Sequence, residues 1–376
     1  MEERIRLLNR TMGCLLGGAS GSALGHPIKT LSKQEIKNRY GMHGLIFFPV
    51  VNEQGHFPLG SDVKYSLFAT NGLINALNDY YSNNNKPAKY LSGYIRKALY
   101  DYASYINGGH NKYSSILINK KELFNRIDKN DKTISIILNK EATTERDMSA
   151  LKYIAPLGLV NKEYGDPFYL ALNVASITNL HPLDILSAQL LVMFIHNVVY
   201  DRERSFWRIG KDTVRELAKR YKEAPKSNKA LFNKVKEYVP DFIEYMKKPL
   251  IYVQYALTKN VKGEEFDEAT RIIDELGKGN TSEEVIAIAL YCSIRYQNDP
   301  GKAMKASVNV DGDSELVSMI TGQILGSTRS FMDIPDMVRT NIENEDIVEE
   351  LAKDLALANH VISKEERQEL IDKYKC

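Results

Sequence analysis

The chain has 376 residues, 43% of them hydrophobic, which is enough apolar material for one large core or two ordinary ones. Its 50 lysines and arginines nearly balance its 48 aspartates and glutamates, so it lacks the basic excess of a dedicated nucleic-acid binder. Its three cysteines, Cys14, Cys292 and Cys376, are too widely spaced for a disulfide framework or a paired zinc-ligand motif.

Neither the N-terminus nor the longest apolar stretch has the sequence pattern of a signal peptide or a membrane span. The N-terminus, residues 1–6, is charged and lacks the apolar core of a signal peptide. The longest apolar stretch, around Ile185 to Tyr200, contains Gln189, His196 and Asn197, and we expect it to form a buried helix rather than a bilayer span. With so few cysteines, these features predict a cytoplasmic protein that has no membrane partner.

Apolar residues at helical spacing begin near the N-terminus and recur along the chain. The first helix is predicted by residues at three- and four-residue steps: Ile5, Leu8, Met12, Leu15 and Leu16. The same spacing recurs at Leu67, Ile74 and Leu77. Period-two alternation is rare, and Ile134–Leu138 is the only segment that resembles a strand. The sequence therefore predicts an all-α fold.

Four glycines inside the first predicted helix stand at strict four-residue spacing: Gly13, Gly17, Gly21 and Gly25. A glycine within a helix costs about 1 kcal/mol relative to alanine, so four in register need a reason. A stripe without side chains allows another helix to approach closely, and packing is the simpler interpretation. The functional alternative is that the end of this helix, with His26 and Lys29, opens onto a site.

A second motif, residues 60–64, precedes another apolar helix. Ser61 is a natural N-cap, and Asp62 favours a first helical turn, because both satisfy exposed backbone amides. The same helix start could instead receive an anion.

The sequence of the middle of the chain predicts helices and does not have the composition of a linker between domains. The polar region from about Asn78 to Lys140 predicts shorter helices and loops on the surface of the same domain. Beyond it, His181-Pro182 predicts a helix start, and Thr281-Ser-Glu-Glu284 fits a capping box. We therefore expect one domain over residues 1–376.

Three acidic residues lie close together near the C-terminal end of the apolar pattern: Asp311, Asp313 and Glu315. Carboxylates at this spacing repel one another unless they are solvated or neutralised by a cation. Gly322 and Gly326 follow in the next predicted helix and repeat the close-packing spacing. The acidic turn is thus either an exposed helix cap or part of a cation site.

Taken in chain order, five segments resemble those of the ADP-ribosylglycohydrolase family. Residues 13–27 resemble its opening helix, and Ser61-Asp62 resembles its Thr-Asp-Asp-Thr motif. Residues 155–158 are similar to its Ala-Pro-Leu-Gly segment, and residues 285–292 to a later apolar helix. Residues 309–326 resemble its second acidic motif and the helix after it. The resemblance spans roughly residues 7–335 and implies a single-domain helical bundle.

The resemblance also implies a metal site, because two divalent ions, usually magnesium, lie between the two acidic motifs in that family. It places Asp62, Asp313 and Glu315 at metal-binding positions, and the same three residues are the catalytic candidates if the chain is active. However, a second aspartate of the family motif is Val63 here, and the following threonine is Lys64.

The charge at the altered positions argues against two ions. Lys29 stands where the family has a glutamate, and Lys64 could pair with Asp313 or Glu315 in place of a cation. We therefore expect at most one ion, on Asp62, Asp313 and Glu315, and no cofactor other than a residual magnesium ion.

The resemblance leaves three hypotheses for function. The first is a protein that binds an ADP-ribose-like or other phosphorylated ligand without two-magnesium hydrolysis, with ligand-binding candidates Ser61, Lys64, Lys29, His26 and Asp311. The second is an active hydrolase of an ADP-ribosyl or other N-glycosidic bond. The third is a non-catalytic or inhibitory partner protein with an idle pocket.

Overall fold

The computed structural model describes residues 2–46, 52–53, 55–83, 91–108, 117, 131–201, 203–223, 230–259, 265–328 and 341–374. Within these ranges the chain forms fifteen α-helices and no strand longer than an isolated bridge, which confirms the predicted all-α class. Cys376, Pro335 and much of the predicted polar surface region lie outside the described residues. The extent of one domain over residues 1–376 stays a prediction.

The helices follow one another along the chain as α1 (Glu2–Gly25), α2 (Lys33–Tyr40), α3 (Ser61–Ser82), α4 (Leu91–Ile106), α5 (Lys132–Asn139), α6 (Pro167–Ala175), α7 (Pro182–Tyr200), α8 (Phe206–Glu223), α9 (Ala230–Lys259), α10 (Glu265–Leu276), α11 (Ser282–Arg295), α12 (Pro300–Val308), α13 (Ser314–Thr328), α14 (Glu345–Ala358) and α15 (Lys364–Tyr374). The described part of the chain also contains short 3-10 helices at His26–Ile28, Ser149–Lys152 and Ala155–Leu159.

Helices α1 and α13 pack at backbone contact distance, and the glycine spacing explains why. They run antiparallel, and a Cβ added to Gly17 would lie 2.2 Å from the carbonyl oxygen of Gly322. One turn further on, a Cβ on Gly21 would lie 2.1 Å from the carbonyl oxygen of Ser318. Because only glycine leaves room for this approach, the packing interpretation of the ladder is confirmed.

Helix α7 crosses the middle of the core. Along most of its length its residues are buried on all sides, as expected from its apolar sequence. It is long and apolar enough, by length and composition, to cross a membrane, but 83% of the segment that meets this test is buried inside the protein. The prediction of a buried helix is confirmed, and its start at Pro182 agrees with the His181-Pro182 signal.

Ile134–Leu138, the one segment that resembled a strand, lies in helix α5, in agreement with the predicted all-α class. Two local capping predictions are wrong. Thr281 is the N-cap residue of α11, but its side chain makes no cap, and Glu284 accepts from the backbone amide of Asn280 rather than from that of Thr281, so the capping box does not form. Ser61 is the first residue of α3 rather than its N-cap, which is Gly60, because the Ser61 hydroxyl is engaged elsewhere.

Candidate functional site

Three helix ends meet at one place and bring the predicted site residues together. The antiparallel pairing of α1 and α13 lays the end of α1 against the start of α13, so that a Cβ on Gly25 would lie 2.4 Å from the carbonyl oxygen of Ser314. The start of α3 is equally close, since a Cβ on Gly60 would lie 2.3 Å from a carboxylate oxygen of Glu315. The two acidic motifs, more than 250 residues apart in sequence, are therefore in direct contact.

Glu315 lies at the centre of this junction and is fully buried. Its carboxylate accepts hydrogen bonds from Ser22 Oγ (2.8 Å), Ser61 Oγ (3.1 Å), the backbone amide of Asp62 (2.6 Å) and His26 Nδ1 (2.8 Å). Four donors from two helices and the turn after α1 saturate this carboxylate. The start of α3 is thus already occupied by an anion that the protein itself supplies.

Lys29 reaches into the same junction and contacts all three predicted metal-binding residues. Its Nζ lies 2.5 Å from Asp62 Oδ2, 3.3 Å from Asp313 Oδ2 and 3.4 Å from Glu315 Oε2. Burial alone lowers the pKa of Lys29, but the Asp62, Glu315 and Asp313 carboxylates outweigh it and raise the pKa well above its ordinary value. The ammonium group therefore remains charged in the position where a cation would bridge the acidic motifs.

The pKa values of the two buried carboxylates, Glu315 and Asp62, shift in opposite directions. Burial alone raises the pKa of Glu315, but Lys29 and the hydrogen bond from His26 hold it well below its ordinary value. Burial raises the pKa of Asp62, and the nearby charge of Glu315 adds to the effect against the opposing lysines. Asp62 Oδ1 also accepts no hydrogen bond from the described residues.

Lys152 is a second buried lysine beside Asp62, and the sequence analysis missed it. Its Nζ lies 3.3 Å from Asp62 Oδ1 and 2.8 Å from Asp131 Oδ2. The ammonium group also lies 5.4 Å from the centre of the Tyr65 ring, and the Tyr65 hydroxyl donates to Asp131 at 3.0 Å. The available signal for Lys152 in the sequence was its position, three residues before the family-like residues 155–158.

The remaining predicted site residues have other surroundings. Asp313 caps α13 by accepting from the amide of Leu316 at 2.9 Å, as the helix-cap alternative expected. Asp311 is exposed and accepts from the backbone of Lys33 at the start of α2. Lys64 is buried, but among the described residues Lys29, not Lys64, pairs with Asp313 and Glu315.

Comparisons with known proteins decide the family. The sequence matches the family model described as ADP-ribosylglycohydrolase over residues 3–365. The chain belongs to the ADP-ribosylglycohydrolase family. It is similar to a solved structure titled "ADP-ribosylglycohydrolase-related protein complex", with a TM-score of 0.52 and 16% identity, covering 96% of this chain and 100% of that chain. That likeness supports the fold, and no curated protein matches the chain significantly.

The two magnesium ions implied by the ADP-ribosylglycohydrolase family do not fit these residues. At an effective dielectric constant of 20, an ammonium 4 Å from a divalent ion would repel it by about 8 kcal/mol. Lys29 lies that close to every carboxylate of the motif, and Val63 offers no ligand atom. Within the described ranges, no group of three or more His, Cys, Asp or Glu residues is arranged to hold a metal ion.

We expect Asp131→Asn to destabilise the protein at neutral pH, since it leaves buried Lys152 with one carboxylate fewer. Burial raises the pKa of Asp131, but Lys152 and Thr133 outweigh it and lower the pKa from its ordinary 3.8. The unfolded chain therefore takes up this proton first as pH falls, and the stabilisation from ionised Asp131 is complete above pH 3.8. Urea unfolding should show a deficit of about 1–3 kcal/mol at neutral pH that shrinks below that pH.

The control for this pH series is Asp241→Asn, at an exposed position on α9. It should leave the unfolding midpoint unchanged at every pH. A constant difference between Asp131→Asn and the unmodified chain down to the lowest pH at which both fold would contradict an ionised Asp131 in the native state.

Proposed function

We propose that this ADP-ribosylglycohydrolase-family protein binds an ADP-ribose-like or other phosphorylated ligand and does not perform two-magnesium hydrolysis. The observation that carries the proposal is the Lys29 ammonium, 2.5 to 3.4 Å from Asp62, Asp313 and Glu315. Two-metal hydrolysis needs those carboxylates free to hold cations against the ribose and the attacking water. Here all three carboxylates already contact the ammonium group of Lys29.

Side-chain exposure indicates which residues can meet a ligand. The side chains of Asp62 and Glu315 are fully buried, whereas His26 is 25% and Lys29 24% exposed. The most exposed groups of the site are therefore the donors His26 and Lys29, with the Asp313 carboxylate 12% exposed beside Lys29, above the buried carboxylates of Asp62 and Glu315. A phosphate or diphosphate group suits such a rim, because its oxygens accept charge-assisted hydrogen bonds.

This assignment narrows the ligand-binding candidates from the sequence. His26 and Lys29 remain ligand-binding candidates, because their side chains are partly exposed at the junction. Ser61 points to Glu315 and is buried, so its hydroxyl supports the site from within. The cytoplasmic location and the absence of a nucleic-acid partner stay predictions from the sequence.

A non-catalytic partner protein is the second candidate function. It is favoured by the mutual saturation of the buried charges, since Glu315 already accepts four hydrogen bonds and Lys29 already contacts three carboxylates. The similar solved structure is titled as a protein complex, so a related fold takes part in an assembly. An active hydrolase, the remaining alternative, would need Lys29 displaced from the carboxylates.

Two assays on one preparation test the proposal. We expect no release of ADP-ribose from arginine- or serine-linked substrates with or without added magnesium, and stabilisation by ADP-ribose in a thermal-shift assay. His26→Ala should weaken that stabilisation because it removes a rim donor, while Arg39→Ala, an exposed arginine on α2, should not.

The possible outcomes separate the three hypotheses. Magnesium-dependent turnover that is lost in Asp313→Ala would contradict the proposal and establish an active hydrolase. Neither turnover nor ADP-ribose binding would favour the partner protein. Binding without turnover, weakened by His26→Ala, would support the proposed function.

A further inference from the structure

A second cavity lies at the opposite end of helix α1 from the acidic motifs. Its volume is about 570 Å³, which falls within the range of small-molecule sites. It is lined by the first turns of α1, the last turns of α7 and the segments that follow α7 and α14. From Arg6 to Gly25 the helix rises about 29 Å, so this cavity is separate from the site at Lys29.

The basic side chains that line this cavity are Arg6, Lys162, His196, Arg204 and His360. Two of them have buried nitrogen atoms that can donate and that make no hydrogen bond with the described residues: Arg6, at Nε and Nη1, and His360, at Nε2 in the tautomer that carries its proton there. His196 Nδ1 is also buried without a partner, but a neutral imidazole has a single N–H, so this nitrogen is not counted as a donor. A buried polar group without a partner costs about 1–3 kcal/mol, so the Arg6 and His360 nitrogens favour a ligand that supplies hydrogen-bond acceptors.

Two polar groups of the cavity wall are already engaged within the protein. The hydroxyl of Tyr200 donates to the carbonyl of Leu159, and the amide of Asn197 donates to Thr213. These contacts fix the two side chains, whereas the unpartnered nitrogens of Arg6 and His360 remain available to a ligand.

Carboxylates and fixed cations are equally numerous around the cavity: Glu3, Glu163 and Asp201 against Arg6, Lys162 and Arg204. Lys162 and Glu163 are exposed, and Arg204 already pairs with Asp201 and Asp212. Glu3 is 66% exposed at the rim and reaches Arg6 through Nη2, at 3.6 Å. Burial lowers the pKa of His196 to about 4, so its ring is neutral at neutral pH, and the partly buried positive charge in the wall is that of Arg6.

We infer that this cavity binds a small molecule through an oxyanion group, either a phosphate or a carboxylate, that accepts hydrogen bonds from Arg6 and His360. Guanidinium and imidazole donors around one cavity are the groups that hold such anions in proteins. A volume of 570 Å³ leaves room for a molecule larger than the anion itself.

Titration calorimetry of the full chain with inorganic phosphate and with acetate, at constant ionic strength, tests this inference. We expect one phosphate or acetate to bind with a dissociation constant near or below about 1 mM. Preference for phosphate would identify a phosphoryl group as the recognised chemistry, and preference for acetate a carboxylate. Either result supports the site.

Variants locate the binding. Arg6→Gln and, independently, His360→Gln should weaken the preferred anion at least about tenfold, a loss of about 1.4 kcal/mol. Arg271→Gln, an exposed arginine on α10, is the matched control and should bind normally. Arg6→Gln should leave the thermal-shift response to ADP-ribose at the Lys29 site unchanged, which separates this inference from the proposed function. No binding of either anion, or affinity unchanged in both Arg6→Gln and His360→Gln, would overturn it.

Discussion

Replacing Gly322 by valine is expected to destabilise the protein by more than about 4 kcal/mol, or to prevent it from folding. A Cβ at this position would lie 2.0 Å from the carbonyl oxygen of Gly17, and a backbone atom in the middle of α1 cannot move away as a side chain could. The two helices would have to separate along their whole contact, including the turn that carries Lys29.

The matched control is Gly301→Ala in α12, where an added Cβ meets nothing nearer than 3.6 Å. Alanine is favoured over glycine in a helix, so this change should be neutral or stabilise by up to about 1 kcal/mol. Urea-induced unfolding followed by circular dichroism measures both variants. A loss below about 1 kcal/mol in Gly322→Val would show that the α1–α13 contact is not as close as described.

The glycine spacing made the centre of the fold predictable from the sequence. Four glycines at four-residue steps in α1 and two more in α13 require helices that touch through their backbones, and the structure pairs them. Local capping was less predictable, because the side chains of Ser61 and Glu284 had alternative partners that only the folded chain brings near. Gly60 is the N-cap of α3 instead of Ser61, and Glu284 accepts from the backbone of Asn280 instead of that of Thr281.

The site was predictable only in part, for a related reason. The acidic motifs identified Asp62, Asp313 and Glu315, and the change of a family glutamate to Lys29 indicated that charge had been rearranged. The sequence could not tell which lysine would reach the carboxylates, since Lys64 is nearer to Asp62 along the chain. The turn after α1 points Lys29 into the junction, while helix α3 carries Lys64 into other buried surroundings.

Lys152 belongs to the site but could not be predicted from the sequence. A lysine in a short 3-10 helix reads as a surface residue, and its partner Asp131 lies 21 residues away in a polar region. Only the fold reveals that Asp62 has an ammonium group on each side, Lys29 near Oδ2 and Lys152 near Oδ1. Two monovalent groups supplied by the chain thus neutralise the carboxylate that the family pattern assigns to metal.

Lys29→Glu is expected to convert this junction into a divalent-cation site. The change restores the residue type that the family resemblance implies at this position and brings a fourth carboxylate to Asp62, Asp313 and Glu315. Without a cation, four carboxylates in one partly buried junction repel, so the variant should be less stable than the unmodified chain. Magnesium or manganese in the millimolar range should then raise its unfolding temperature, because oxygen-rich sites suit hard cations.

Two controls separate the loss of the lysine from the gain of a ligand. Lys29→Met removes the ammonium group alone, leaves buried carboxylates uncompensated, and should be destabilised by about 3–5 kcal/mol without a comparable response to magnesium. Arg39→Glu makes a similar charge change at an exposed position on α2 and should show neither effect. Calorimetric titration with magnesium chloride should give at least about tenfold tighter binding to Lys29→Glu than to the unmodified chain, a gain of about 1.4 kcal/mol. If the two bind magnesium equally, Lys29 does not hold the place of a cation, and the basis for proposing a non-hydrolytic protein is lost.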